Sequence, residues 1–127
     1  EMLLVDFDQV ERSNLNRQTL YREEDVGQRK AVATARTLAA FNSSISFEPV
    51  AQRLESEREV ASVVRGADFV IEAADWPPYR LSRWVSASCA AARVPHVGAS
   101  QFPPLVRVGP TFLPGRRGCH GCFAASL

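Results

Sequence analysis

One short stretch near the start of the chain limits what it can fold into. Four apolar residues, Met2–Val5, are followed by two carboxylates, Asp6 and Asp8, and then by an Asn-rich polar loop that ends at Gln18. A buried strand that ends in an acid and opens into a polar loop is typical of the ligand-facing edge of an open α/β sheet. In nucleotide-binding βαβ units an acid at this place binds the ribose hydroxyls, so the stretch predicts a nucleotide site.

Strand-like segments alternate with helical patterns along the rest of the chain. The predicted strands are Met2–Val5, Ile45–Val50, Asp68–Ala74, Pro95–Ser100 and Val106–Leu113, and the predicted helices are Val26–Phe41, Ser56–Arg65 and Pro77–Arg93. This alternation predicts a Rossmann-like α/β fold, with a doubly wound, mostly parallel sheet and helices on both faces. Because the sequence begins too late to include a Gly-rich turn ahead of Asp6, we interpret the first βα unit as missing.

Local signals predict where two of the helices begin. Asp25 is a good N-cap for the first helix. Ser56 and Glu59 have the spacing of a capping box, and Gly66 lies just past the end of that second helix. The face of the first helix that is predicted to pack on the sheet consists of Val32, Ala35, Leu38 and Ala39.

Length and composition describe an ordinary globular domain. A chain of 127 residues suffices for one domain with a core of its own, and hydrophobic residues make up 46% of it. The formal net charge of +1 gives no electrostatic reason to expect a nucleic-acid or membrane partner. No apolar run approaches the roughly 20 residues of a membrane helix. We expect one partial domain over residues 1–127, located in the cytoplasm.

The three cysteines predict a metal or redox role better than a disulfide framework. Cys119 and Cys122 have the spacing of half a tetrahedral zinc site, on a predicted tight turn over Gly115–Gly121. A redox pair is the alternative, but such a motif normally opens a helix after a strand. His120 lies between the two thiols and is interpreted as a loop residue. Cys89, within an Ala-rich predicted helix, is interpreted as a small core residue.

Several motifs follow one another in an order and spacing that resemble those of a known family. They are Val5–Gln18, Asp25–Lys30, Ala67–Asp75, Arg80, Val94–Gly98 and Cys119–Cys122. Together they span nearly the whole chain and resemble the ThiF/MoeB/ubiquitin-activating superfamily. Members of that superfamily use ATP to activate the C-terminal carboxylate of a small protein or peptide, forming an acyl-adenylate and releasing pyrophosphate. The resemblance implies a ubiquitin-like protein or precursor peptide as substrate, and a homodimer.

The resemblance also implies roles for individual residues of the first loop. Asp6 would bind the ribose, while Asp8 would brace the loop or contact the nucleotide. Asn14, Arg17 and Lys30 would face the phosphates of ATP, with Arg17 as a bidentate donor and Lys30 as a point charge. The alternative for the two carboxylates is that they cap the loop's own amides, as Asp often does in turns.

A second group of implied roles lies further along the chain. Asp75 resembles the family's Mg²⁺-associated aspartate, which would act in catalysis together with Arg17 and Lys30. Its alternative role is to cap the helix predicted from Pro77. The chain departs from the family at Trp76, where an asparagine is usual. Arg80 would hold the loop or Asp75 in place.

For zinc, the family's second Cys-x-x-Cys follows further along the chain, so the site in residues 1–127 is expected to be incomplete. We expect these residues alone to bind zinc weakly or not at all.

Three functions remain open at this point. The first is an ATP-dependent adenylyltransferase domain, with ATP and Mg²⁺ bound and zinc as a structural ion. The loop Val108–Gly115 resembles the branch that modifies ribosomal peptides. The second is a noncatalytic module that keeps the fold to grip a leader peptide or partner protein. The third, an NAD(P)-dependent oxidoreductase, is disfavoured because Arg17, Lys30 and Asp75 suit a triphosphate and Mg²⁺ better than nicotinamide.

Overall fold

The structure, a computed structural model, describes residues 1–102, 104–116 and 118–126. The chain divides into a first unit, Glu1–Arg53, and a second unit, Leu54–Leu127. The elements in chain order are β1 (Met2–Val5), α1 (Lys30–Phe41), β2 (Phe47–Val50), α2 (Glu57–Val64), β3 (Val70–Glu72), α3 (Arg80–Ala92), β4 (His96–Phe102), β5 (Leu105–Phe112) and α4 (His120–Ala124). None of the helices in these described ranges is long and apolar enough to cross a lipid bilayer.

The first unit is a parallel β–α–β arrangement. β1 pairs in parallel with β2, and the intervening α1 packs against both strands. The side chains that α1 buries are small, namely Ala31, Ala33 and Ala35. Val32 was predicted to face the sheet, but it is 45% exposed because the buried stripe runs through the alanines instead. The parallel pairing confirms the predicted α/β class in this unit.

The predicted N-terminus of α1 is wrong by four residues. Asp25 does not cap the helix but ends a short 3-10 turn, with its carboxylate directed inward. That carboxylate accepts a hydrogen bond from the amide of Arg22 (2.8 Å) and pairs with the guanidinium of Arg36. Gly27, at φ +90°, then turns the chain before α1 begins at Lys30.

The second unit contains a three-stranded sheet in the order β3–β4–β5. β3 and β4 pair in parallel, whereas β5 runs antiparallel to β4. An apolar core forms where α2 packs against α3. The buried residues of this core are Val60, Val64, Leu81, Val85, Cys89 and Val94. Its composition confirms that Cys89 is a small core residue, and its 0% exposure agrees.

The predicted start of α2 is confirmed by its hydrogen bonds. The amide of Glu59 donates to the Ser56 hydroxyl (3.3 Å), and the amide of Ser56 donates to the Glu59 carboxylate (3.1 Å). This reciprocal capping box satisfies two amides at the helix N-terminus. After the helix, Gly66 adopts φ +85°, a conformation that favours glycine.

Two boundaries in the second unit differ from the prediction. β3 is shorter than the predicted strand, so Asp75 lies in a loop three residues beyond Glu72. α3 begins at Arg80 rather than at Pro77, because Tyr79 adopts a left-handed conformation (φ +62°) directly before it.

β5 continues through Gly109 and Pro110 without a break. β5 is the edge strand of its sheet, and an edge strand tolerates a proline that cannot donate a hydrogen bond.

Candidate functional site

The loop that follows β1 begins with a carboxylate held in a defined position. The amide of Asp6 donates to the carbonyl of Val50 (3.1 Å), which ties the loop to the end of β2. One side-chain oxygen of Asp6 accepts the amide of Asp8 (2.8 Å), which is the amide-capping role given above as the alternative for this carboxylate. The other oxygen of Asp6 has no hydrogen-bond partner among the described residues. It therefore remains available to a ribose hydroxyl.

Asp8 and Lys30 meet although 22 positions separate them in the sequence. The Lys30 ammonium lies 3.0 Å from the Asp8 carboxylate, and the Lys30 amide donates to the Asp8 carbonyl (2.9 Å). The Lys30 side chain is only 13% exposed, whereas that of Asp8 is 48% exposed. An ammonium has three N–H donors, so a phosphate oxygen could be bound by those that Asp8 does not use.

Asn14 builds the next part of this loop. It is buried, and its side-chain oxygen accepts the amide of Glu11 (3.0 Å). Its carbonyl accepts the amides of Arg17 (3.1 Å) and Gln18 (2.9 Å). The structure therefore places Asn14 in a loop-shaping position rather than on an exposed surface. Gln18 lies against this loop, with a buried side-chain oxygen that has no partner among the described residues.

Arg17 is exposed on the outside of the same loop. Its guanidinium donates to the carbonyl of Ser13 (2.8 Å) and to the side-chain oxygen of Asn16 (3.0 Å). Both bonds are made by the same nitrogen, so the other N–H groups of the guanidinium face away from these partners. The arrangement suits an arginine that binds a phosphate with its free donors.

Asp75 and Arg80 belong to the second unit, on the loop between β3 and α3. Both are exposed, and neither side chain forms a hydrogen bond or ion pair with another described residue. The alternative capping role of Asp75 is wrong, because α3 takes Tyr79 as its N-cap residue without a side-chain bond. Nor does Arg80 hold Asp75 in place. An exposed carboxylate that no described residue pairs with suits a hydrated Mg²⁺ ion, which keeps several waters.

Cys119 and Cys122 lie together at the start of α4. The predicted turn over Gly115–Gly121 is wrong at its end, since the helix begins at His120 directly after Cys119. Because the pair opens a helix, its position does not disfavour a redox role. The two sulfur atoms are 3.5 Å apart. Thiolates bound to one tetrahedral zinc at about 2.3 Å lie about 3.8 Å apart, so this pair fits one edge of such a site. No cluster of three or more ligand side chains occurs in the described ranges.

Hydrogen bonds at the start of α4 also change the acidity of this pair. The amide and the thiol of Cys122, and then the amide of Gly121, hold the pKa of the Cys119 thiol below its ordinary value. A lowered pKa favours the thiolate, which is the form that binds metal. By contrast, burial and the nearby charge of Glu72 raise the pKa of Cys89 to about 11, so that thiol stays protonated.

Two histidines pack on Phe112 beside this helix. His96 is buried and stacks on the Phe112 ring with 4.8 Å between centroids, while His120 meets the same ring edge-on. Burial, and then the charge of His120, lower the pKa of His96. The amide of His120 donates to the hydroxyl of Ser86 (3.3 Å), which joins α4 to α3. His120 is thus a packed helix residue and not the loop residue that was predicted.

The sequence profile of the ThiF family matches residues 1–126. The chain belongs to the ThiF family. Among its relatives, the molybdopterin-synthase adenylyltransferase of Salmonella typhimurium is 34% identical over 100 residues, which cover 79% of this chain and 39% of that protein.

Solved structures of Escherichia coli MccB also resemble this ThiF family chain. MccB with ATP gives a TM-score of 0.87 at 35% identity, covering 94% of this chain and 35% of MccB. MccB with N-formylated MccA, described as a microcin C7 biosynthetic enzyme, gives a TM-score of 0.88 at 34% identity and covers 96% of this chain and 35% of MccB. The likeness confirms the predicted Rossmann-like fold. The chain spans between about a third and two fifths of the length of these proteins.

One buried ion pair in this ThiF family chain was missed from the sequence. Asp25 is completely buried and its partner Arg36 is half exposed. Burial alone would raise the pKa of Asp25, but the Arg22 amide and the Arg36 guanidinium outweigh burial and lower it. The pair holds the turn that leads into Lys30. The only signal in the sequence was the family-like position of Asp25, which does not reveal its partner.

Proposed function

We propose that this chain forms the nucleotide-binding part of an ATP-dependent adenylyltransferase. Its substrate is the C-terminal carboxylate of a small ubiquitin-like protein or a peptide. In the reaction, a carboxylate oxygen bonds to the α-phosphorus of ATP, and the bond from that phosphorus to the bridging oxygen breaks. Pyrophosphate leaves with the electron pair, and the acyl-adenylate remains. Membership of the ThiF family and the relatives that are named adenylyltransferases support the proposal.

The observation that carries the proposal is the grouping of Asp6, Asp8 and Lys30 at the carboxyl end of β1. One oxygen of Asp6 is available for the ribose, and the Lys30 ammonium is paired with Asp8, which lies two residues after Asp6 on the loop. Arg17 adds free guanidinium donors on the exposed side of that loop. These groups bind and orient a nucleotide and neutralise its phosphates, which is the main contribution a protein makes to this chemistry.

Two metal ions fit residues of the second unit. Asp75 would bind Mg²⁺, which neutralises phosphate charge when bound. Cys119 and Cys122 would supply two thiolates to a structural zinc, and no third ligand side chain joins them among the described residues. Metal analysis of the full-length protein tests the zinc proposal: one zinc per chain is expected, and zinc content that survives Cys119→Ser with Cys122→Ser would refute it.

We further propose that the full-length protein works as a homodimer in the cytoplasm, as the family resemblance implies. The resemblance of the segment Val108–Gly115 to the peptide-modifying branch, together with the likeness to MccB, supports a peptide substrate. A sulfur-carrier type of substrate is supported by the molybdopterin-synthase relative. Both substrates present a C-terminal carboxylate, which is the feature that the experiment below uses.

ATP–pyrophosphate exchange by the full-length protein tests the function. Candidate peptides and small proteins are supplied with a free C-terminal carboxylate, and each is matched by the same molecule with a C-terminal amide. We expect exchange with one or more of the free carboxylates and none with the matched amides. Tight binding of ATP and of a peptide without any exchange would instead identify a binding module and overturn the proposal.

A further inference from the structure

A cation–π pair lies next to Asp6 in the first unit. The guanidinium of Arg53 stands over the ring of Phe7, 4.5 Å from its centroid. Phe7 directly follows Asp6, whose amide is bonded to the carbonyl of Val50 at the end of β2. Arg53 follows Val50 by three residues. The stacked pair is therefore located at the carboxyl ends of both parallel strands, where a ligand binds in this kind of sheet.

The chemistry of this pair suits a nucleobase. A guanidinium is planar and weakly hydrated, and it stacks on aromatic faces, as Arg53 does on Phe7. The central carbon of the Arg53 guanidinium lies over the Phe7 ring, so the two groups are in contact. Purine bases stack on arginine and aromatic planes in the same manner, whatever their hydrogen-bonding edge.

The position of the pair follows from the sugar. The base of a nucleoside is bonded directly to the ribose, so a ribose bound by Asp6 brings its base within reach of an adjacent residue. Lys30, which contacts Asp8, offers a cation suited to phosphate rather than to a base. The Arg53–Phe7 pair joins two groups that are each planar, and Phe7 is the residue directly after Asp6.

Other aromatic side chains of the first unit are placed elsewhere. Tyr21 is bonded through its hydroxyl to Thr34 (3.0 Å) and lies against α1. Phe41 is the last residue of α1. Phe47 begins β2 and pairs with Met2, at the opposite end of the strands from Asp6. Phe7 is thus the aromatic residue of this unit that lies at the ligand-facing edge.

We propose that Arg53 stacks on the adenine base of the bound nucleotide and that Phe7 is the positioning residue that holds its guanidinium flat. This inference rests on the proposed function, because it assumes that Asp6 binds the ribose of ATP. Stacking is tolerant of base identity, so Arg53 contributes affinity for the nucleoside rather than discrimination between adenine and guanine. Phosphate binding is left to Arg17 and Lys30.

Binding of two partial ligands to the full-length protein separates these contributions. Adenosine contains the base and sugar without phosphate, and tripolyphosphate contains phosphate without a base. In calorimetric titrations, Arg53→Ala should weaken adenosine binding about tenfold and leave tripolyphosphate binding unchanged. Arg53→Lys keeps the charge but not the plane, so it should weaken adenosine almost as much. Arg17→Ala should give the reverse pattern.

Two further variants serve as a control for loss of a surface charge and as a test of the Phe7 ring. Arg58→Ala removes an exposed arginine from α2 that has no ion pair among the described residues, and it should change neither affinity. Phe7→Leu keeps an apolar side chain but removes the stacking ring, so it should weaken adenosine as Arg53→Ala does. Should Arg53→Ala unfold, as a thermal melt would show, the Arg53→Lys and Phe7→Leu variants still give the comparison.

The outcomes separate this inference from the function on which it rests. Full adenosine affinity in Arg53→Lys, or equal loss of both ligands in Arg53→Ala, would mean that the pair acts by charge or folding alone and would overturn the inference. If either result is found while the wild-type protein catalyses ATP–pyrophosphate exchange, the proposed adenylyltransferase function is still supported. Selective loss of adenosine binding, in a wild-type protein that catalyses no exchange, would support the base site and overturn the adenylyltransferase.

Discussion

The two units of this chain hold their candidate site residues in opposite ways. In the first unit, Asp8 is paired with Lys30, Asn14 is buried under the loop, and Asp25 is bonded to Arg36. In the second unit, Asp75 extends from an exposed loop and has no side-chain bond to a described residue. The core below that loop is instead apolar and is formed by α2 and α3.

In the first unit the same residues serve both folding and function, whereas in the second unit they are different residues. Polar groups shape the site loop of the first unit, so a change to one of them alters the stability of the unit as well as its ligand geometry. In the second unit the apolar core sets the stability, and Asp75 is left to act on a ligand alone. Substitution of a polar site residue in the first unit should therefore change both activity and stability. Substitution of Asp75 should change activity alone.

The largest effect should come from Asp75→Asn and Arg17→Ala in the full-length protein. Loss of one well-placed electrostatic group lowers turnover by about 100-fold, so each variant should lose about that much ATP–pyrophosphate exchange. Because Asp75 makes no side-chain bond to a described residue, urea unfolding of Asp75→Asn should match the wild type. Asp68→Asn, at the other end of the β3 segment, is the matched control and should keep full exchange. Unchanged turnover in both test variants would leave these residues with loop roles only.

A stability comparison comes next in size. Leu81→Ala opens a cavity in the apolar core of the second unit and should cost about 3 kcal/mol in the free energy of unfolding. Asp25→Ala leaves the half-buried amide of Arg22 without its acceptor and should cost about 2 kcal/mol. The surviving Arg36 is half exposed and stays hydrated, so the cost is smaller than for a fully buried pair.

Urea unfolding measures both variants, with Glu23→Ala as the control for Asp25. Glu23 pairs with Arg12 in the open, where an ion pair contributes little. If Glu23→Ala loses as much unfolding free energy as Asp25→Ala, burial of the Asp25–Arg36 pair is not what stabilises the first unit.

The dependence of stability on pH in the acid range should distinguish stabilisation by the Asp25–Arg36 ion pair from stabilisation by the apolar core at Leu81. The lowered pKa of Asp25 means that its contribution is complete above the ordinary value of 3.8 and is lost as pH falls through the folded-state pKa below that value. The stability gap between wild type and Asp25→Asn should therefore narrow under strongly acidic conditions. The gap between wild type and Leu81→Ala should stay constant, since no charge is involved. Parallel pH profiles for all three proteins would contradict the assignment.

Local patterns in the sequence predicted most of the elements. The strand that ends at Asp6, the capping box at Ser56 and the glycine after α2 each depend on a few neighbouring residues, and the structure confirms them. The α/β class follows from the order of such elements, and the chain's likeness to MccB confirms it.

Features that depend on distant partners were harder to predict. Asp25 satisfied the local rule for an N-cap, but Arg36, eleven residues later, draws its carboxylate inward. Asp8 and Lys30 were each expected in the site, yet their pairing depends on an antiparallel bridge between Gln9 and Arg29. No spacing rule in a single sequence contains that information. The roles of these residues toward a ligand remain predictions.

The smallest expected effect concerns the N-cap of α2, which was predicted from neighbouring residues alone. Ser56→Ala removes the hydroxyl that accepts the amide of Glu59 at the start of α2, and should cost about 1 kcal/mol in the free energy of unfolding. Ser62 lies on the same helix, where its hydroxyl donates to the carbonyl of Glu59 (2.7 Å) without capping an end. Ser62→Ala should therefore be close to neutral, because a back-bonded serine within a helix adds no stability. An equal loss of unfolding free energy in both variants would mean that serine hydroxyls stabilise α2 by something other than the cap. The apolar contacts of Val60 and Val64 with α3 would then determine where the helix begins.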